Sequence, residues 1–230
     1  MRYDIVFISY GEPNADENFA KLKAKYPYAQ RVDGVKGIHD AHIQAAKKAF
    51  TKMFWVVDGD AEIVDEFDFT YEASKYDQEC VHVWRSKNPI NNLEYGYGGV
   101  KLLPKRLTMD MDPTTLDMTT SVSSLFKAMP DISNVTRFNT DAFNTWKSAF
   151  RECCKLSSKS IDRQDDEETA QRLEVWCTVG ADKPFGKYAV EGAQQGKEYG
   201  AKNKGNVDAL KKINDFDWLR EQFDARYSED

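Results

Sequence analysis

Asp58-Gly59-Asp60, Asp110-Met111-Asp112 and Asp215-Phe216-Asp217 each place two carboxylates one residue apart. Carboxylates so spaced can turn toward one hard divalent cation, which can in turn hold a diphosphate. Context separates the three. The second and third stand where solvated loops or helix caps are expected, whereas Asp58 and Asp60 follow Phe54-Trp55-Val56-Val57 and run into Ala61-Glu62-Ile63. A short, continuously apolar run ended by a turn signal reads as a strand buried on both faces. Its carboxyl end is where open α/β sheets bind ligands. Asp58 and Asp60 are therefore the expected ligands of Mg2+ or Mn2+, with a structural turn as the plain alternative; His82 is a candidate to complete the shell, with a structural strand histidine as its alternative.

The elements that must position this pair can be read upstream of it. Tyr3-Asp4-Ile5-Val6-Phe7-Ile8-Ser9-Tyr10 has the β-branched and aromatic content of a strand. Gly11-Glu12-Pro13-Asn14 breaks it, and Asn14 with Glu17 predicts a capping box opening a helix that ends near Pro27. Ala29-Gln30-Arg31-Val32 reads as a second strand, Asp33-Gly34-Val35-Lys36-Gly37 as a loop, and 38–50 as a helix with Ile38, Ala41, Ala45 and Ala49 on one face. This β-α-β-α-β order predicts a mostly parallel sheet flanked by helices, with right-handed crossovers. Further on, Cys80-Val81-His82-Val83-Trp84 and Val100-Lys101-Leu102-Leu103 read as strands. Residues 109–124 read as a loop or short helix. From Thr140 the helical period returns, with Phe143, Trp146, Phe150 and Cys153 on one stripe, so the carboxyl-terminal part is expected to be helical. Residues 186–205 are glycine-rich and predict no definite element; 206–227 reads as a helix broken around Asn214-Asp215.

Composition sets bounds. The chain has 230 residues, 41% of them hydrophobic and 13% aromatic, which suits one packed globular domain over 1–230. Within it, 1–104 is expected to carry the ligand-binding half and 105–230 a mostly helical half. No apolar run reaches the roughly 20 residues of a membrane span, and Asp4 interrupts any signal-like run, so a cytoplasmic protein without membrane association is expected. The net charge of −6 opposes broad, nonspecific binding to nucleic acid. Cys80, Cys153, Cys154 and Cys177 form no C-x-x-C, and reduced structural thiols are expected.

With these residues in order, the chain resembles the GT-A fold glycosyltransferases, which use an Asp-x-Asp after a buried strand to hold Mn2+ or Mg2+ on the diphosphate of a nucleotide sugar. The resemblance covers about residues 3–104 and rests on the strand, helix, strand, glycine-containing loop, alanine-rich helix and Phe54-Trp55-Val56-Val57-Asp58-Gly59-Asp60. The later half, notably Phe138-Asn139-Thr140-Asp141-Ala142-Phe143-Asn144-Thr145-Trp146-Lys147, is similar to small glycosyltransferase-like proteins of T4-like tailed phages. The resemblance implies a Rossmann-like, GT-A-like domain, a UDP-sugar or related donor, and a hexosyl- or pentosyltransferase. In a phage it would work in the host cytoplasm. It further implies that Ser9 and Tyr10 contact the nucleotide, that Asp33 takes a ribose hydroxyl, and that Asp58 serves donor and metal together. Lys36 could meet a phosphate, with Gly37 allowing close backbone approach and His42 near the same loop; a solvated lysine is the plain alternative.

Tyr95-Gly96-Tyr97-Gly98-Gly99 alternates stacking rings with glycines and resembles the acceptor loop of some galactosyltransferases. Tyr95, Tyr97, Gly98, Gly99 and Arg85 are the expected acceptor contacts, with a plain turn as the alternative. The acidic residues that follow in that family are replaced here by Val100 and Lys101, so the catalytic base is not carried over. An inverting reaction needs a carboxylate base; Glu94, Asp117 and Asp141 are the candidates. If the phage resemblance holds, the acceptor is a hydroxymethylated pyrimidine in DNA, with Arg85, Lys87, Lys101, Lys105 and Arg106 as basic contacts. A saccharide or protein acceptor, a nucleotidyltransferase and a non-catalytic nucleotide-sugar-binding module remain the rivals.

Overall fold

The computed structural model describes residues 2–96, 98–160 and 165–227. They fall into two compact units, Met1–Pro89 with Glu94–Arg137, and Ile90–Leu93 with Phe138–Asp230. The division thus lies at 137/138, where the sequence suggests halves meeting at 104/105.

In chain order the first unit forms β1 (Asp4–Ser9), α1 (Ala15–Lys25), β2 (Gln30–Asp33), α2 (Ile38–Lys48), β3 (Met53–Asp58), β4 (Ala61–Ile63), β5 (Val81–Lys87), β6 (Glu94–Tyr95), β7 (Val100–Pro104), α3 (Lys105–Met109), α4 (Met118–Val122) and β8 (Phe126–Thr136). The sheet order is β2-β1-β3-β7-β5-β8-β4, with β6 beside β5. β1 is parallel to β2 and β3, and β5 to β8. β7 is antiparallel to both β3 and β5, as are β4 to β8 and β6 to β5. The sheet is therefore mixed, which corrects the expectation of a mostly parallel one. The described residues of the link from β5 to β7 form the short β6 and no helix, and without a helical crossover the returning strand pairs antiparallel.

Side-chain alternation divides the core between the two faces of the sheet. Ile5, Phe7, Trp55 and Val57 face one side with Leu22 of α1, and Val6, Ile8, Phe54 and Val56 face the other with Ala45 and Ala46 of α2. The first face is aromatic: the Trp55 ring centroid lies 4.5 Å from that of Trp84 and 5.1 Å from that of Phe69. Asn14 precedes α1 but makes no capping bond; its side-chain amide donates instead to the carbonyl of Arg137 at 3.1 Å. The expected capping box does not form.

The second unit is helical: α5 (Ala142–Ser158), α6 (Asp166–Thr178), α7 (Gly186–Lys202), α8 (Val207–Lys211), a 3-10 turn (Lys212–Asn214) and α9 (Phe216–Tyr227). The break before α9 falls where the sequence places it. α5 buries the anticipated stripe of Phe143, Trp146, Phe150 and Cys153. α7 replaces the indefinite glycine-rich stretch, because its glycines let it lie directly on the α5 backbone. A Cβ added at Gly192, Gly196 or Gly200 would come within 2.6, 2.1 or 2.4 Å of the carbonyl oxygens of Trp146, Phe150 and Cys154. All four cysteines are free thiols. No described helix is long and apolar enough to cross a membrane.

Candidate functional site

The parallel register brings the ends of three adjacent strands level. Ser9 pairs with Asp33, and Ile8 pairs with Asp58. After β1 the chain crosses to β2 on one side, and after β2 it returns to β3 on the other, so the β1/β3 border is where the strand order reverses. Crevices at such borders, outside the carboxyl ends of the strands, are the general ligand sites of open α/β sheets. Ser9, Tyr10, Asp33, Asp58 and Asp60 gather there.

Asp33 is fixed by its neighbours. Ser9 Oγ donates to Asp33 Oδ1 at 2.5 Å, and Arg31 donates to Ser9 Oγ at 2.9 Å and to Asp33 Oδ1 at 3.1 Å. The Ser9 hydrogen bond, followed by the Arg31 charge, holds the Asp33 carboxyl below the usual carboxylate range. The β2–α2 loop then turns through two left-handed glycines, Gly34 at φ +71° and Gly37 at φ +96°, the latter starting α2. Lys36 between them is exposed. His42, one turn into α2, is fully buried; its Nδ1 donates to the Ile38 carbonyl at 2.7 Å, and Nε2 has no hydrogen-bond partner. Burial, reinforced by the charge of Lys101, holds its pKa well below the ordinary histidine value, so the ring is neutral.

The Asp58-Gly59-Asp60 turn is clamped on both sides. Asn18 of α1 donates to the Gly59 carbonyl at 3.0 Å, and the Arg137 amide donates to the Asp60 carbonyl at 2.7 Å. Gly59 lies close under its neighbours: a Cβ there would lie 2.6 Å from Glu12 Oε2, the end of a flexible side chain, and 3.2 Å from Ser9 Cβ. Glu12, which also accepts from the Tyr10 amide at 2.7 Å, thus lays a third carboxylate across the turn. The Asp58 amide donates to the Gly99 carbonyl at 2.9 Å, which brings the aromatic-glycine stretch to the pair. Gly98 adopts φ +79°, and Gly99 lies against Asn134, whose Nδ2 would be 2.8 Å from a Cβ at that position. Tyr95 is buried on β6, and Tyr97 lies outside the described residues.

Lys101 is the residue that sequence reasoning misplaced. It belongs to no exposed basic patch; its side chain is 3% exposed, and its ammonium donates to Asp58 Oδ1 at 2.8 Å and to the Gly98 carbonyl. The signal was a lysine at an inward position of an otherwise apolar strand. The other basic residues grouped with it are also separated. Lys105 and Arg106 begin α3 beyond the opposite end of β7, where Lys105 Nζ donates to the Ala49 carbonyl and Arg106 pairs with Glu79. Arg85 and Lys87 stand at the site's end of the sheet, since Val83 pairs with Lys101 and Lys101 with Val56.

His82 is not brought to the pair. It pairs with Leu102, which pairs with Trp55, so it lies three residues down the sheet from Asp58 and on the aromatic face. Its Nδ1 meets the Cys80 carbonyl at 3.1 Å. The three candidate bases lie on separate elements. Asp117 caps α4, accepting from the Thr120 amide at 3.0 Å, and Asp141 caps α5 in the second unit, accepting from the Asn144 amide at 2.8 Å. Glu94 lies beside Arg85, which donates to its carbonyl at 2.8 Å, on a cleft of about 780 Å³ walled by Tyr71 and Trp84.

Among the described residues no three His, Cys, Asp or Glu side chains converge as a ready-made metal cage. Two carboxylates on a strand-end turn, one of them shared with an ammonium, fit a cation whose shell is completed by phosphate oxygens and water. They do not fit a resident structural ion.

No protein-family model matches the chain, and no curated protein matches its sequence. Among solved structures it is similar to the mannosyltransferase PcManGT from Pyrobaculum calidifontis in complex with GDP-Man and Mn2+, with TM-score 0.43 and 9% identity over 100% of this chain and 89% of that one. It is also similar to HddC from Yersinia pseudotuberculosis, with TM-score 0.35 and 17% identity over 55% of this chain and 68% of that one.

Proposed function

We propose that this protein transfers a sugar from a nucleotide-sugar donor, a UDP-sugar in the first instance, to a hydroxyl acceptor, with Mn2+ or Mg2+ at Asp58 and Asp60. The observation that carries this reading is the convergence of Asp58, Asp60 and the Ser9–Asp33 pair at the β1/β3 border. In this mechanism Asp33, pre-set by Ser9 and Arg31, accepts a hydrogen bond from a ribose hydroxyl. The left-handed backbone at Gly34 and Gly37 lets the loop approach the donor, and Lys36 meets a phosphate. When bound, the cation supplies Lewis-acid stabilisation of the charge developing on the leaving diphosphate. Asp58 and Asp60 orient the diphosphate, and the Asn18 and Arg137 bonds to the turn hold them in place without movement during the reaction.

For the acceptor, the geometry supports a saccharide hydroxyl better than a hydroxymethylated pyrimidine in DNA. The basic residues a duplex would need are divided between opposite ends of the sheet, whereas Arg85, Glu94 and the ring of Tyr71 share one cleft. Glu94 is the base this reading favours, because Asp117 and Asp141 already accept the amide hydrogens of helix ends. A nucleotidyltransferase is disfavoured by Glu12, whose carboxylate lies where a phosphate-cradling loop after β1 would need positive charge.

Calorimetric titration with UDP, GDP, ADP and CDP, each with and without Mn2+, tests the donor assignment. Metal-dependent binding of one nucleotide, lost in Asp60→Asn with the fold intact, is the expected result. Binding that persists unchanged in Asp60→Asn would sink the assignment of the pair. Release of the free nucleotide from its sugar conjugate then separates a transferase from a binding module.

A further inference from the structure

Among the described residues Lys101 is the sole Asp, Glu, Lys or Arg side chain that is buried. A buried ammonium is stable only where its charge and its protons are met. Here the charge is met by Asp58 Oδ1 at 2.8 Å, and a second proton goes to the Gly98 carbonyl. Asp58 itself is about a quarter exposed, with 27% of its side chain open to solvent. It therefore faces a fixed interior cation on one side and the ligand crevice on the other.

That placement has a consequence for any second cation at the same carboxylate. A divalent ion bound to Asp58 alone would sit beside an ammonium that has nowhere to go, and the two positive charges would repel across a partly desolvated space. A nucleoside diphosphate brings enough negative charge to offset both. We propose that Lys101 is a built-in counter-ion that reserves Asp58, so that the divalent cation enters only together with the donor diphosphate. The same side chain, by holding the Gly98 carbonyl, couples the glycine turn to the carboxylate. Lys101 is thus a positioning residue, acting through Asp58. This inference rests on the assignment of Asp58 and Asp60 as the cation site.

The test is binding of Mn2+ alone, followed by calorimetry and by the loss of the free-ion paramagnetic resonance signal. Wild-type protein without nucleotide is expected to bind Mn2+ weakly. Lys101→Met should bind it about tenfold more tightly or better, a floor set by taking the repulsion as screened nearly as in water. Lys101→Arg keeps the charge and should stay near wild type, and adding Asp60→Asn to Lys101→Met should remove the gain. Lys101→Gln, which retains a donor for Gly98, stands in if the methionine variant does not fold. Micromolar binding of Mn2+ to the wild type alone would overturn the proposal outright. So would a folded Lys101→Met or Lys101→Gln whose Mn2+ affinity equals that of wild type, or a Lys101→Arg that gains affinity as the neutral variants do. A wild type that binds no nucleotide in any condition would remove the donor reading instead, and leaves the Mn2+ comparison among variants standing.

Discussion

Asn18 of α1 donates its side-chain amide to the main-chain carbonyl of Gly59 at 3.0 Å, in a buried position. A helix side chain thereby sets the position of a turn that lies 41 residues further along the chain. Replacing Asn18 with Leu leaves the Gly59 carbonyl without this partner and is expected to destabilise the fold by about 1–3 kcal/mol. Because the turn carries both carboxylates, metal-dependent nucleotide affinity should fall as well. Denaturant melts and calorimetry on the same preparation separate the two effects, and unchanged nucleotide affinity would show that Asn18 serves stability only.

Gly59 offers a second, sharper probe. An added Cβ meets Glu12 Oε2 at 2.6 Å and Ser9 Cβ at 3.2 Å. The first neighbour is the end of a flexible side chain, so Gly59→Ala should fold with Glu12 displaced. Combining it with Glu12→Ala should recover most of the lost stability, giving a coupling of about 1 kcal/mol in a double-mutant cycle. Additive losses would mean that Ser9, and not Glu12, sets the limit.

The α5–α7 contact leaves no such freedom. A Cβ at Gly196 would lie 2.1 Å from the Phe150 carbonyl oxygen and 2.7 Å from its Cα, both main-chain atoms of a helix. Gly196→Ala should therefore cost about 3 kcal/mol through forced separation of the helices, despite the higher helix propensity of alanine. Thermal melts measure it; a stability equal to or above wild type would contradict the packing.

Acid stability should report on His42. Its folded-state pKa lies well below the reference value of 6.5, through burial first and the Lys101 charge second. The unfolded chain then binds more protons than the folded one below pH 6.5, so stability is complete above that pH and declines as pH falls. The expected slope is about 1.4 kcal/mol per pH unit from this group. His42→Gln should show a shallower decline between pH 6.5 and the range where carboxylates protonate. An identical slope in the variant would mean that His42 titrates normally.

The sequence makes some of this legible for physical reasons that can be traced residue by residue. β1 and β3 are recognisable because Ile5–Ile8 and Phe54–Val57 are buried from both sides, and α5 because Phe143, Trp146, Phe150 and Cys153 recur at helical spacing. The strand-end carboxylates follow from β3. By contrast, β8 carries Pro130 and Asp131 inside an 11-residue strand, and its pairing with β5 slips there from Met129 to Ile132, so no period-two pattern survives. α7 hides because glycine signals a loop by local propensity, while its role here is to admit a neighbouring main chain. The Lys101–Asp58 pair and the Glu12 carboxylate over Gly59 depend on contacts between distant strands and loops, which no spacing within one segment reveals. The antiparallel insertion of β7 is of the same kind, although the absence of a helix between residues 88 and 99 was a usable hint.

The segment Ile90–Leu93 belongs to the second unit, although it lies between two strands of the first. Ile90 is 1% exposed, and both its carbonyl and its side chain stand where a Cβ on Gly180 would be, 2.5 Å away. Neither unit is therefore a continuous stretch of the gene. A fragment ending at residue 137 would carry Ile90 without the residues that cover it, and a fragment starting at 138 would lack it. Expressing this protein as two separate halves divided at 137/138 should give two insoluble pieces; a permuted or co-expressed pair that restores 90–93 to the helical portion is the route to either half in isolation.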